Sequence, residues 1–425
     1  MSATALSACS NDAGQVGTTT SANDFTLWNG TFAAYGKGTN TDKGKNDYWL
    51  AKALASYEAD HGITITVNNS VDGPDLLTKI RTSGVARQGP DLATVWGASY
   101  LMGVKDFFTP LDDYYPPDKR KGIFGWEANT DGFVEGKGKL YAVPCGTDAL
   151  TCLYYNTKVL DKAGVAIDTA AVSEWDSFIS MLDKIKSTGV TPLAMFAGSY
   201  LYFSLMYWIA QNIGGTPGVI DLQSGKRQFS SPEIRQAVDG WLSLVPFTHA
   251  GAPVLTRDDV LKLLLTGKAA VAPGLAIADL REGLGEHVTI TKLPNIRPDA
   301  PILNSGIGGP GQAFAIPAAA KHVDDAVAFI DYLNSKDQQL ARAKLGEGPL
   351  PNLPDLAGLN VYTDPLAQTI AEWSTGDLIY WPDNLLDARL VAHLAAQTQL
   401  VWNGNIGADQ FLESLDKKRD EIASG

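Results

Sequence analysis

Short apolar runs alternate with amphipathic helical stretches along almost the whole chain, and this alternation limits the fold more than any other feature. DFTLWNG (24–30) reads as a strand. YWLAKALASYEADHG (48–62) reads as a helix with Trp49, Leu50, Ala53, Leu54 and Tyr57 on one face and Gly62 as its stop. ITITVNN (63–69) and DLATVW (91–96), the latter entered through Gly89-Pro90, are the next strands. Further helices are expected at SEWDSFISMLDKIKSTG (173–189), with Ser173 and Asp176 as a capping box, and at SPEIRQAVDGWLSLV (231–245). In the latter, Ser231 is the cap and Pro232 the first helical residue, with Ile234, Val238, Trp241 and Leu242 inward. VDDAVAFIDYL (323–333), SKDQQLARAKLGEG (335–348, boxed by Ser335 and Gln338) and ADQFLESLDKKRDEI (408–422) complete the series. Interleaved periods of this kind predict an α/β fold. At 425 residues the chain is too long for one ordinary core, so two domains are expected.

Composition excludes several function classes. Apolar residues make up 45% and charged residues 19%, which describes a globular chain, and no apolar run approaches the roughly 18 residues of a membrane span. Against 47 acidic residues stand 34 basic ones, with no basic stripe, so nucleic acid is not an expected partner. His61, His249, His287, His322 and His393 show no metal-ligand spacing, and neither a metal nor a cofactor is expected. The zinc-protease, nucleophile-elbow and P-loop signatures are absent. Asp112-Asp113, Asp258-Asp259 and Asp324-Asp325 read as turn and helix-start caps. GIGGPG (306–311) spells the dinucleotide fingerprint, but the strand-like QAFAIP follows it where a helix must receive the pyrophosphate. Those glycines are expected to allow a close backbone approach instead.

The N-terminal LSAC (6–9) resembles a lipobox, with Cys9 the lipidated residue and 10–24 a tether. An export signal needs a basic region and an apolar region of about 7–15 residues, and the eight residues before Cys9 hold neither, so the reading implies a truncated signal. That leaves Cys145 and Cys152, seven positions apart. In an exported chain the favoured expectation is a disulfide closing a small loop; the alternative is two buried thiols.

GKGKLYAVPCGTDALTCLYYNTKVLDKAGV (136–165) is the most specific stretch. Its Gly-Lys-x-Tyr-x-x-Pro segment, then Leu-Tyr-Tyr-Asn, then a helix opening at Trp175-Asp176, resembles the maltose-binding-protein-like extracellular solute-binding proteins of carbohydrate ABC importers. GPDLATVW (89–96), GKAAVAPG (267–274), GQAFAIPAAAKHVDDAVAFIDYLNSKDQQ (311–339) and LGEGPLPN (345–352) resemble further family segments in the same order. The resemblance spans Asp24 to Ile422. It implies a two-lobed, periplasmic-binding-protein-like (type II) α/β fold with a ligand cleft between lobes. The lobes would be 24–145 plus 314–348 and 146–313 plus 349–425, after a tether of 1–23. Crossovers fall near Val143–Asp148, Gly309–Ile316 and Gly346–Asn352, and closure is a hinge motion about them.

The same resemblance implies the ligand-binding residues. Sugars need aromatic faces and groups that pair with hydroxyls. Asn29 and Trp96 end their strands, where α/β lobes line a cleft; as alternatives they are a turn asparagine and a core tryptophan. Asp148 lies in the first crossover and Gln312 in the second. Tyr200 and Tyr202 share a face only if AGSYLYFSLMYW (197–208) is a strand. Trp381 and Asp383, in YWPDN, fall at the family's aromatic platform, and a tryptophan before proline in a polar loop fits a core poorly. Leu275 departs from the pattern, since relatives often carry an aromatic there. The function implied is capture of a sugar, and its delivery to an ABC permease, by a monomeric receptor lipid-anchored outside the cytoplasmic membrane. A two-lobed glycoside hydrolase using Asp148 and Asp383, and a receptor for a non-sugar molecule, are the alternatives.

Overall fold

The computed structural model describes residues 24–31, 48–69, 73–132, 136–167, 174–195, 201–249, 251–275, 277–302, 306–345, 361–373 and 378–424. Ten strands are β1 (Asp24–Asn29), β2 (Thr64–Asn68), β3 (Leu92–Trp96), β4 (Ala142–Thr151), β5 (Leu153–Asn156), β6 (Thr191–Leu193), β7 (Ala269–Pro273), β8 (Val288–Thr291), β9 (Gly306–Ala315) and β10 (Leu378–Tyr380). They form two sheets. The first runs β10-β9-β3-β1-β2 with β4 also on β9, and the second runs β6-β7-β5-β8.

β1 lies parallel to β2 and β3, the arrangement that helical crossovers produce. β9 runs antiparallel to both β3 and β4. Because β4 follows β9 from Ala315 down to Ile307, the other edge of β9 is divided: β3 takes Gln312–Ala315 and β10 takes Gly306–Gly308. Two adjacent ten-residue strands thus leave the first sheet together, and β4 continues through Cys152 into β5 of the second.

The pleat sorts side chains into layers. On β9, Phe314 enters the core on one face of the first sheet, with Trp49, Leu54 and Phe329, while Ala313 and Ala315 enter the core on the other face with Leu76, Ile80 and Val95. On β5, Leu153 and Tyr155 join a large core with Phe178, Trp241 and Phe411, and Tyr154 joins a smaller one with Leu264 and Leu280. Both sheets are therefore covered on both faces. GIGGPG lies within β9, a strand, as its flanking residues require.

Most expected elements appear, with differences at their ends. Gly62 closes helix Trp49–His61 at φ 64°. Helix Trp175–Ser187 is capped at Glu174, without a side-chain bond, while Ser173 of the expected box lies outside the described residues. Ser335 accepts from the Gln338 N–H, but the Gln338 amide donates to the Tyr332 hydroxyl, so half of that box forms. A full capping box joins Thr256 and Asp259, at one of the paired-acid sites.

The expected disulfide is not formed. Cys145 and Cys152 are buried thiols that form no disulfide. The physical reason is β4 itself: seven extended residues span roughly 20 Å, against the ~4.4–6.8 Å between Cα atoms that a disulfide allows. Cys145 sits in a first-sheet core and Cys152 in a second-sheet core. Burial pushes the Cys152 thiol up to about 12. Dithiothreitol is expected to leave the melting temperature unchanged. Loss of a loop-closing disulfide, worth about 2–4 kcal/mol, would instead lower it by several degrees.

Candidate functional site

The parallel strands end on one edge, and the first group of expected residues gathers there. Asn29 is the last residue of β1, Trp96 the last of β3, and Gln312 lies opposite Trp96 on β9. Asn29 is buried; its Oδ1 accepts from Thr94 Oγ1 at 2.7 Å and its Nδ2 donates to Asn69 Oδ1 at 2.7 Å. It braces the strand ends. Trp96 and Gln312 are each half-buried, and Gln312 Nε2 donates to the Thr31 carbonyl at 3.4 Å. Its Oε1 is enclosed and has no hydrogen-bond partner among the described residues.

Just beyond Trp96 the backbone turns sharply. Ala98 adopts φ 53°, a left-handed conformation that costs a residue with a Cβ about 1–2 kcal/mol. Its N–H is held by Asn129 Oδ1 at 2.9 Å, and the Gly97 N–H by the Gly311 carbonyl at 3.0 Å. The short helix Ala98–Met102 then meets the segment after β10. Ser99 Oγ donates to the Asp383 carbonyl and the Tyr100 hydroxyl to Asp383 Oδ2, both at 3.1 Å.

Trp381 and Asp383 belong to that segment, a 3-10 turn over Pro382–Leu385. Trp381 is half-buried and edge-on to Phe203, ring centres 5.4 Å apart. Its Nε1 is enclosed without a partner among the described residues, and so is Asp383 Oδ1. Asp383 is 6% exposed, and burial raises its carboxyl to about 6, opposed by the Tyr100 hydroxyl and by the nearby backbone N–H groups of Asp383 and Asn384.

Between these elements the space is small. A cavity of about 10 Å³ is lined by Ala98, Ala128, Pro310, Tyr380, Trp381 and Asn384, among others. Tyr380 lies over the glycine run: a Cβ on Gly309, at φ 104°, would sit 2.8 Å from Tyr380 Cδ1. A wider groove of about 440 Å³ opens alongside, between Tyr100, Tyr202 and the alanines of helix Ala388–Trp402. Other depressions, about 550 and 700 Å³, lie at 221–231 and at the C-terminal helix, lined by charged and polar side chains.

The other expected residues are placed unevenly. Tyr202 is on helix Leu201–Asn212, not a strand. It is buried against Phe203, ring centres 4.5 Å apart. Cys9, Tyr200 and the crossover at 346–352 lie outside the described residues, as does the side chain of Asp148, whose backbone pairs with Gly309 on bulged β4. Leu275 is a core residue. Among the described residues no acid, histidine or cysteine cluster is arranged to hold a metal. Sequence reasoning did not find Tyr100, Glu127 and Tyr380. The Tyr380 hydroxyl donates to Glu127 Oε1 at 3.2 Å, a pairing 253 residues apart that no local pattern announces.

Asp383 carries a pH prediction. Its folded carboxyl is raised to about 6, above an ordinary value of 3.8, so the folded state binds more protons than the unfolded state between those values. Stability is then expected to fall as pH rises from about 4 to 6, by on the order of 2–3 kcal/mol for this group. Chemical denaturation across that range should show the slope in the native protein and not in Asp383→Asn; equal slopes would refute the assignment.

Comparison with known proteins agrees with this architecture. A profile of the bacterial extracellular solute-binding protein family matches residues 52–369. An uncharacterized ABC transporter extracellular-binding protein of Pyrococcus horikoshii is 22% identical over 272 residues, 63% of this chain and 59% of that protein. The chain thus matches less than two thirds of that relative's length. The lactose-binding protein of Rhizobium radiobacter is 23% identical over 310 residues, 68% of this chain and 67% of its own. A solved chitin oligosaccharide binding protein superposes with a TM-score of 0.77 at 18% identity, covering 95% of this chain and 99% of that one. That likeness establishes the fold as periplasmic-binding-protein-like. With strand-end residues converging on the paired strands that join its two sheets, and with three quarters of its length matching one profile, the chain belongs to the bacterial extracellular solute-binding proteins.

Proposed function

We propose that the protein is the sugar-capturing receptor of an ABC importer and that its ligand binds between the two sheets, around Trp381, Asp383, Gln312 and Trp96. One observation carries this reading. Gln312 Oε1, Trp381 Nε1 and Asp383 Oδ1 are all enclosed polar atoms without a hydrogen-bond partner among the described residues. Buried polar atoms are ordinarily paired, so these three orphans need an explanation, and ligand hydroxyls supply acceptors and donors of the right kind. The rings of Trp381, Phe203 and Trp96 offer the apolar faces that the C–H sides of pyranoses require. The names of the lactose- and chitin-oligosaccharide-binding relatives favour the same ligand class.

Asn29 acts on this reading as a brace for the strand ends. Asp148, Tyr200 and Tyr202 are proposed as further contacts from the crossover and the second lobe. The lobes proposed are 24–145 plus 314–348 and 146–313 plus 349–425. Their boundaries fall inside β4 and β9, so closure would bend two adjacent strands, and the register shifts in their pairing after Pro144 are where such bending is least opposed. A ligand favours closure only through contacts with both lobes. Delivery to a permease, lipid attachment at Cys9 and a monomeric state complete the proposal. Among the described residues no helix is long and apolar enough to cross a membrane.

Hydrolysis is the second reading, favoured by the raised carboxyl of Asp383, which suits a general acid. It needs a second carboxylate about 5–9.5 Å away across a glycosidic bond. One experiment separates the two: titrate the protein with mono-, di- and oligosaccharides by tryptophan fluorescence and thermal shift, then assay every mixture for products. Saturable stabilisation with the sugar recovered intact is the expected outcome. Cleaved sugar would establish an enzyme, and no response to any sugar would remove the ligand class.

A further inference from the structure

Two tyrosine–carboxylate hydrogen bonds cross between residues packed on the first-sheet cores and residues packed on the large core around Phe178 and Trp241, and they cross in opposite directions. Tyr100 packs against a first-sheet core and donates its hydroxyl to Asp383 Oδ2 at 3.1 Å. Asp383 lies in the turn whose Leu385 is part of the main second-sheet core. Tyr380, on β10 at the edge of the first sheet, packs against that same large core and donates to Glu127 Oε1 at 3.2 Å. Glu127 follows Trp126, which packs on a first-sheet core. The two bonds flank the small cavity beside Trp381, with Ser99 Oγ on the Asp383 carbonyl as a third tie.

We propose that the Tyr100–Asp383 and Tyr380–Glu127 bonds are a reciprocal interlobe latch that holds the two bodies together before any ligand arrives. A hydrogen bond to a charged acceptor in a partly dry interface is stronger than one between neutral groups. Each bond joins groups with no covalent constraint between them other than the crossover strands, so each biases the open–closed equilibrium rather than the fold of either body. The latch also accounts for the strained turn at Ala98: that φ aims the helix carrying Ser99 and Tyr100 at the turn after β10. This inference needs no ligand of any class, so it stands or falls apart from the sugar reading.

The test measures distance in the unliganded protein. Spin labels at exposed positions, Gln88→Cys on the first body and Asn405→Cys on the second, in a Cys9→Ser background, report the separation of the bodies. Cys145 and Cys152 are buried and stay unlabelled under native conditions. Tyr100→Phe and Tyr380→Phe keep the ring packing and remove only the hydroxyls. Each single variant is expected to raise the open-to-closed ratio roughly tenfold, and the double variant roughly a hundredfold where the two act independently. The distance distribution should gain a longer component in that order. A double variant whose distances superimpose on those of the native protein overturns the latch. If the double variant does not fold, Glu127→Leu, which removes the acceptor, makes the same test with Tyr380 intact: a partial shift supports the latch, and none overturns it.

Discussion

Trp381→Ala lowers sugar affinity by about 2–3 kcal/mol, roughly 30- to 150-fold, in isothermal titration with the sugar that stabilises the native protein. The expectation rests on three properties of one side chain. Trp381 presents a half-buried ring that lines the small cavity of about 10 Å³ beside Pro310 and Asn384. Its edge-on contact with Phe203 fixes the ring plane, so a stacked pyranose meets a surface already oriented. Its indole N–H is enclosed without an acceptor among the described residues, so a ligand oxygen that reaches it forms a bond whose donor is already desolvated. Trp381→Phe keeps the face and loses the donor, and should recover part of the affinity. Circular dichroism separates lost binding from lost fold. An affinity within about twofold of native for the alanine variant would remove Trp381 from the site.

The largest expected effect on stability lies elsewhere, at Asp91. Its carboxylate is 6% exposed. Oδ2 accepts from the Thr26 N–H at 2.9 Å and from Thr26 Oγ1 at 3.0 Å, and Oδ1 from the N–H groups of Lys321 and His322 at 3.1 and 3.2 Å. One side chain thereby ties the start of β1 to the loop that launches helix Val323–Leu333, more than 200 residues away in sequence. Asp91→Ala strips the partners from three backbone donors and is expected to cost about 3–5 kcal/mol in urea unfolding. Asp91→Asn retains one acceptor atom for Lys321 and His322 but sets an NH₂ against the Thr26 donors, and should lose about half as much. A loss below about 1 kcal/mol for the alanine variant would mean that water replaces the carboxylate at these donors.

Asp91 also shows how the sequence pattern and its cause part company. The Pro-Asp strand GPDLATVW is one of the segments that resemble the family. Its aspartate is a clamp between chain segments, while the residue five positions later, Trp96, ends the strand opposite Gln312, where the ligand is proposed to bind. Trp96, Gln312, Trp381 and Asp383 of the proposed site could be named from the sequence because strand ends and a tryptophan in a polar turn carry a positional signal. Tyr100 and Glu127 carried none, since a tyrosine in a short helix and a glutamate in a 3-10 turn look the same whether or not a partner hundreds of residues away meets them.

The cysteine pair failed for a related reason. Seven positions admit a disulfide only if the chain between them folds back, and sequence spacing holds no information about that. β4 runs extended for ten residues, paired along its length with β9, and so carries Cys145 and Cys152 into different cores. Likewise the stretch from Leu201 to Trp208 is apolar enough for a buried strand or a buried helix, and only its packing against Trp241 and the helix Ala388–Trp402 decides for helix.

By itself, the sequence determined what local chemistry can determine. Period-two and period-3.6 apolar patterns laid down strands and helices in alternation, glycines at φ above zero marked their ends, and proline after the GIGGPG run ruled out a phosphate-binding turn. Those signals act within a few residues, where backbone sterics and side-chain burial dominate. Only the tertiary structure decided which strand edges β9 shares, which polar atoms end up enclosed without partners, and which tyrosine meets which carboxylate. These depend on where distant segments come to rest once the apolar faces are buried, and burial is non-directional: it selects which faces turn inward without specifying which polar group then finds which.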